Sequence, residues 1–184
     1  MSPGLSFGSG PAQTRGAVSL RRWHVDDDAA VLISGCGDPE VARWMPRMPH
    51  PYSDTDAASF MHVAETGWTE GTLAAFAVVG NGEVVGSVSF SVVDPNVPEV
   101  HGGYWALAEH RGKGFITAAL LMVVDWALSE LQVARYELRT DPANTASCAV
   151  ARNAGFDEEG LIRCAYGRRD GELGELISWS RTMK

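Results

Sequence analysis

From residue 17 onward the apolar positions switch repeatedly between a two-residue and a three-to-four-residue spacing. Residues 17–23 (AVSLRRW) predict a first strand, and residues 26–36 (DDDAAVLISGC) place acids ahead of an apolar run, as suits a helix N-terminus. A proline-punctuated stretch, 38–54, leads into a helix over 54–68 capped by Asp54 or Thr55. Residues 72–79 and 84–93, joined by the turn GNGE, predict a hairpin. A further strand over 99–108 leads through a glycine-rich loop into an apolar helix that runs to about residue 131. A fifth strand (134–140), a short capped helix (144–155) and a closing hairpin over 161–182, turning at Asp170-Gly171, complete the pattern. Hairpins first and strand–helix alternation later indicate an α/β or α+β sheet of mixed direction.

Composition narrows the class. The 184 residues, 45% of them hydrophobic, suffice for one well-buried core and hence one domain. Residues 1–16, rich in Gly, Ser and Pro, read as a mobile tail outside the fold, which leaves 17–184 as the domain. That tail lacks the basic and apolar regions of a signal peptide, and no apolar run is long enough to span a bilayer, so no membrane partner is expected. A net charge of -8 and a pI near 5.0 argue against nucleic acid. Cys36, Cys148 and Cys164 show no metal-binding spacing, which points to a reduced cytoplasmic protein without a metal.

The loop in YWALAEHRGKGFITAALL, residues 104–121, carries two glycines and two cations where one glycine would make the turn. Free amides at a helix N-terminus suit an anion. A Walker A loop is excluded, because no Lys-Ser/Thr pair follows a second glycine. Gly112, Gly114 and Thr117 nearly fit a dinucleotide fingerprint, with Glu137 about 20 residues on. The fingerprint, however, belongs after the first strand of a parallel unit, and Glu137 lies inside its strand rather than at the end. A ligand-free turn would leave the amides and both cations unexplained. The remaining reading is R-x-x-G-x-[G/A], formed by Arg111, Gly112, Lys113, Gly114, Phe115 and Ile116.

With that motif the chain resembles the GNAT superfamily of acetyl-CoA-dependent N-acetyltransferases, in particular the RimJ/RimL-type branch that acetylates protein N-termini. The resemblance runs from about residue 17 to 182 through LRRWHVDD, DPEVARWMP, GYWALAEHRGKGFITAAL and NTASCAVARNAGF, in the family's order. It implies a mixed, mostly antiparallel sheet of about seven strands flanked by helices. It also implies acetyl-CoA as cosubstrate, an amine as acceptor, and a monomer or homodimer. Ile116 departs from the pattern, which prefers glycine or alanine there.

On this resemblance the amides of Gly112 through Thr117 bind the coenzyme A pyrophosphate without a metal, with Arg111 and Lys113 adding charge. Ala106 and Leu107 run along the pantetheine arm, where the family's strand splays from its neighbour. The family often has a glutamate two residues before its Gly-Tyr; here that position is His101, with Glu99 on the same strand face. Imidazole is a suitable base near neutral pH, so His101 and Glu99 are the candidate bases. Many GNAT enzymes protonate the leaving thiolate with a tyrosine, but the matching position is Ala151. The branch instead shows a serine, here Ser147, placed on a helix face with Val150 and Ala151. Asn144 caps this helix and bonds the pantetheine amide. Asn153 stands where the branch often has lysine.

Attack on a thioester requires an unprotonated amine. At pH 7 roughly 10% of an α-amino group is free base against roughly 0.04% of lysine, a gap of about 3 kcal/mol. The chemistry therefore favours a protein or peptide N-terminus, an amino acid or a small amine over an internal lysine. Trp44, Tyr52, Tyr166, Arg168 and Arg169 lie in the loops expected to face that acceptor. A catalytically idle acyl-CoA-binding module on the same fold is the competing expectation, motivated by Ala151 and His101.

Overall fold

The computed structural model describes residues 5–11, 14–24 and 27–183. Among them eight strands form one sheet: β1 Thr14–Arg15, β2 Val18–Arg22, β3 Leu73–Gly80, β4 Glu83–Val92, β5 Glu99–Ala106, β6 Arg135–Thr140, β7 Asp157–Gly167 and β8 Leu173–Thr182. The helices are α1 Ala29–Gly37, α2 Pro39–Trp44, α3 Asp54–Glu70, α4 Phe115–Ser129 and α5 Thr145–Asn153. Strand order is β1-β2-β3-β4-β5-β6-β8-β7, and only β5 and β6 run parallel. The mixed, mostly antiparallel GNAT-type sheet is therefore present, with a two-residue edge strand added to the expected seven.

Strand periodicity builds two cores, because successive side chains point to opposite faces. On β3, Ala74, Phe76 and Val78 face the core covered by α4 and α5, while Ala75 and Ala77 face the core covered by α1 to α3. The helix α4 is apolar nearly all round and buries Ile116, Ala119, Leu120, Val123, Val124 and Trp126 among others. Such a helix cannot rotate or slide without exposing apolar surface, so its N-terminus is held rigidly.

Several boundaries differ from the sequence reading, each for a local reason. The helix α3 is capped by Ser53, not Asp54 or Thr55: its hydroxyl accepts from the Asp56 amide while the Asp56 carboxylate accepts from the Ser53 amide, a capping box. The helix α1 starts at Ala29 rather than in the aspartate run. Asp28 is buried and bidentate to Arg21 at 2.6 and 2.8 Å, so it holds β2 instead of capping, while Asp26 lies outside the described residues. The proline stretch hides a full turn of helix, α2, capped by Asp38 with proline at its first position. The hairpin β7–β8 begins at Asp157, before the expected residue 161.

The separation of residues 1–16 from the fold is corrected for the part described. Phe7 is 3% exposed and sits against Trp68, Phe90 and Trp126 with ring centroids 5.2–5.7 Å apart. An aromatic side chain buries more apolar area than the neighbouring Gly and Ser residues forgo, so composition misjudged the segment. Residues 1–4 and 12–13 lie outside the described residues. Among the described residues no helix is long and apolar enough to cross a membrane.

Candidate active site

Parallel pairing between β5 and β6 is brief: Glu99↔Arg135, Val100↔Tyr136 and His101↔Glu137. Beyond that point β5 stays on β4 and β6 stays on β8, so the two strands part. The adjacent glycines of β5 mark a close approach rather than a bulge. A Cβ at Gly102 would lie 2.3 Å from the Tyr136 ring and 2.8 Å from Leu138, while β4–β5 register is unbroken. Two cavities, of about 510 and 620 Å³, flank the splay. Tyr104, Asn144, Ser147, Trp44 and Met45 line both.

The first cavity holds the glycine loop. Gly112 and Gly114 have φ of +73° and +81°, a region favouring glycine, and a Cβ at either would meet nothing within 4 Å. The amides of Gly112 through Thr117 have no hydrogen-bond partner among the described residues; the first amide returning to the loop is that of Ala118, bonded to the Gly114 carbonyl at 3.0 Å. Ile116 turns its side chain into the core, so its bulk leaves the loop open. Phe115 packs against Gly80, and Thr117 lines the cavity.

Arg111 lines this cavity, yet its guanidinium is engaged: 3.1 Å from Asp38 Oδ1 and 3.3 Å from the Ala106 carbonyl. Burial pushes the Asp38 carboxyl up, but Arg111 and the Val41 and Glu40 amides more than offset this and hold it low. Ala106 lines the cavity; Leu107 does not. The Leu107 side chain is buried in the α1–α3 core, and its amide and carbonyl are bonded to Val85 and His110. Lys113 is exposed, has no ion-pair partner among the described residues and does not line the cavity.

The second cavity is bounded by charged groups that pair with one another. His101 Nε2 lies 2.7 Å from Glu99 Oε1, each side chain a little over a quarter exposed, and His101 lines the cavity while Glu99 sits behind it. Glu137 is buried and bonded to Arg135 at 2.8 Å and Arg139 at 2.5 Å. Burial raises its carboxyl, and the two guanidinium groups return it below the usual range. Glu99, His101 and Glu137 offer ligand atoms within 4.8 Å of one another, but those two arginines already neutralise the buried carboxylate. Glu137 thus borders the opposite cavity from the glycine loop, which removes the ribose partner that a dinucleotide site needs.

The loops expected to face an acceptor divide. Tyr166 and Arg168 both bond Asp141 Oδ2, at 2.6 and 3.0 Å. Arg169 reaches across 127 residues to donate to the Ala42 carbonyl at 2.9 Å, and also to those of Met45 and Met48, so it caps the end of α2. Tyr52 packs in the α1–α3 core against Cys36, whose thiol burial pushes up to about 11. It borders neither cavity.

Where the cavities meet, Asn144 Oδ1 caps α5 by accepting from the Ser147 amide at 3.0 Å. Ser147 and Val150 line the first cavity, while Ala151 is fully buried, so the expected shared face divides. The Ser147 hydroxyl lies 2.9 Å from the Tyr104 hydroxyl. Sequence reasoning assigned Tyr104 no role. Strand parity was the available signal, since it puts Tyr104 with Val100 and Gly102 on the face covered by α5.

A family model described as an acetyltransferase (GNAT) domain matches residues 18–157. The chain is 28% identical over 166 residues to the uncharacterized N-acetyltransferase p20 of Bacillus licheniformis, covering 89% of this chain and 91% of that protein. It is 28% identical over 90 residues to the ribosomal-protein-serine acetyltransferase of Escherichia coli (strain K12), 49% of this chain and 50% of the relative. Among solved structures, Mycobacterium smegmatis RimJ in complex with CoA-disulfide is similar at a TM-score of 0.80 and 28% identity, covering 90% of this chain and 81% of RimJ. The motifs, the splayed sheet and the family match agree, and the chain belongs to the GNAT family of acetyl-CoA-dependent N-acetyltransferases.

Proposed function

We propose that this N-acetyltransferase acetylates the α-amino group of a protein or peptide, with a small primary amine as the other acceptor class. One observation carries the reading: a row of unbonded amides from Gly112 to Thr117 lies on one side of the splay, and a His–Glu pair lies on the other. The first fits a pyrophosphate, since each amide offers a hydrogen that no group among the described residues uses and the helix dipole adds favourable potential. The second fits an amine that must lose a proton. The similarity to a ribosomal-protein-serine acetyltransferase supports a protein acceptor.

In this reading Glu99 accepts from His101 Nε2–H, which leaves Nδ1 as the basic nitrogen and fixes the tautomer. The amine nitrogen attacks the thioester carbonyl carbon and gives its proton to His101. The carbon–sulfur bond then breaks with both electrons on sulfur, and Ser147 donates a hydrogen bond to the thiolate. Asn144 places Ser147 at the seam, and the Ala106 strand end and the loop hold the cosubstrate.

The test is release of CoA thiol from acetyl-CoA across peptides beginning with Ser or Ala, free amino acids, polyamines and aminoglycosides. Turnover is expected with a peptide. Turnover with polyamines alone would move the acceptor to small amines. Acetyl-CoA binding without CoA release from any amine would identify an idle acyl-CoA-binding module instead.

A further inference from the structure

The seam between the two cavities contains one hydrogen-bonded pair that spans the splay. Tyr104 on β5 and Ser147 on α5 are 43 residues apart, and their hydroxyls approach to 2.9 Å. The same phenol lies 3.0 Å from the Ser147 carbonyl. A phenol carries one hydrogen, so two arrangements compete. In one, Tyr104 donates to the carbonyl and Ser147 donates back to the phenol oxygen, which turns the serine hydrogen away from both cavities. In the other, Tyr104 donates to Ser147 Oγ, and the serine hydrogen is free to point at a ligand.

Two considerations favour the second arrangement when a sulfur anion forms nearby. Helical geometry already gives the Ser147 carbonyl the amide four residues on as a partner, so it loses little when the phenol turns away. A hydrogen bond to an ionised acceptor is roughly twice as strong as one between neutral groups, so the serine hydrogen gains more at a thiolate than at the phenol. The main chain of Ser147 is meanwhile held by the Asn144 cap. Nothing but the hydroxyl needs to turn.

We infer that Tyr104 is a positioning residue for the leaving group: its phenol holds Ser147 Oγ so that the serine hydrogen faces the departing sulfur. The inference rests on the reading of Ser147 given above. Tyr104 is not a general acid. Burial pushes its phenol up to about 12. A thiol ionises near 8.5, so proton transfer from phenol to thiolate would run uphill by more than three powers of ten. The thiolate leaves as an anion, and Tyr104 keeps its proton throughout.

The measurement is the thiol pKa of CoA bound to the protein, read from thiolate absorbance and compared across wild type, Tyr104→Phe, Ser147→Ala and the double variant. It needs no acceptor. The titration of each protein without CoA is subtracted, since Cys164 is exposed while Cys36 and Cys148 are buried. Tyr104→Phe removes one oxygen and keeps the ring packing. Bound CoA in wild type is expected to ionise below free CoA. Ser147→Ala should raise that pKa by about one unit, Tyr104→Phe by at least half as much, and the double variant no further than Ser147→Ala. A wild-type value in Tyr104→Phe beside a raised one in Ser147→Ala overturns the role of Tyr104 and leaves that of Ser147. A wild-type value in Ser147→Ala overturns both. An additional rise in the double variant would show the phenol acting on sulfur directly, which also overturns the inference.

Discussion

The two sides of the splay treat their polar groups in opposite ways. On the cofactor side the amides of Gly112 through Thr117 have no partners among the described residues, and a Cβ on either glycine of that run would meet no described atom within 4 Å. On the acceptor side nearly every charge at the cavity is matched by a neighbour: Glu99 by His101, Glu137 by two arginines, Asp141 by Tyr166 and Arg168. One side is a run of consecutive residues whose chemistry is backbone. The other is assembled from side chains that meet only in the folded chain, with Arg169 joined to α2 over 127 residues. A preorganised row of amides suits a ligand of fixed charge, such as a pyrophosphate. A neutralised wall suits an acceptor that must arrive as an uncharged amine.

The comparison breaks most readily at Gly114. Gly114→Asp puts a carboxylate beside the unbonded amides, in a backbone conformation that disfavours a side chain. Two like charges about 4 Å apart near a protein surface repel by roughly 4 kcal/mol, so CoA affinity should fall by roughly 10²- to 10³-fold. Calorimetric titration checks this. The melting temperature should fall by only a few degrees, because the new Cβ meets no described atom within 4 Å and the positive φ alone costs about 1 kcal/mol. Binding within a few-fold of wild type would remove the loop from the site.

The next largest effect belongs to the other side. His101→Ala should lower kcat/KM by roughly 10²-fold, a typical general-base contribution, and leave a rise of kcat/KM with pH that the acceptor amine alone sets. The affinity for CoA should stay as it is, since His101 borders only the acceptor cavity. A kcat/KM within a few-fold of wild type in the variant would assign the proton to Glu99 or to water.

The same contrast explains what was legible in the sequence. The loop could be read because its signal is local: glycines at fixed spacing, then an apolar helix. The splay came only with the resemblance to the family, and it took the Tyr136 ring beneath Gly102 to show that the paired glycines of β5 serve a close approach. The partners of Arg111 and Arg169, Asp38 and the carbonyls of α2, could not be read, because no local pattern couples them to those guanidinium groups. Leu107 was placed one residue too far along, where the strand has already turned its side chain into the other core. Phe7 was hidden in a segment whose composition is that of a tail.

Asp141 offers a milder test of the acceptor wall. Burial raises its carboxyl, but Tyr166, the Ala143 amide and Arg168 more than offset this and hold it below the ordinary range. A lowered folded-state pKa stabilises the protein fully above the unfolded value of about 3.9, and that contribution is lost as pH falls through the lower folded value. Asp141→Asn should therefore cost about 2 kcal/mol at pH 7, the scale of a hydrogen-bonded charged group, and the deficit should shrink below about pH 4. Melting curves of both proteins across that range decide it. Acceptor KM should rise while acetyl-CoA KM holds; a rise in both would mean that the two sides are not separable.

The smallest effect sharpens the boundary itself, at Asn144. Its Oδ1 caps α5 through the Ser147 amide, and its side chain lines both cavities. Asn144→Ala removes the cap and should cost about 1 kcal/mol of stability. Asn144→Asp keeps an equally good cap oxygen but loses the amide hydrogens that would hold a pantetheine carbonyl. The pair separates the two roles. If Asn144 serves the cofactor as well as the helix, the aspartate variant keeps the wild-type melting temperature and binds CoA about 5-fold more weakly, the loss of one hydrogen bond. If it binds CoA as wild type does, Asn144 is a helix cap alone, and the loop amides, the Ala106 strand end and Ser147 carry the cofactor without it.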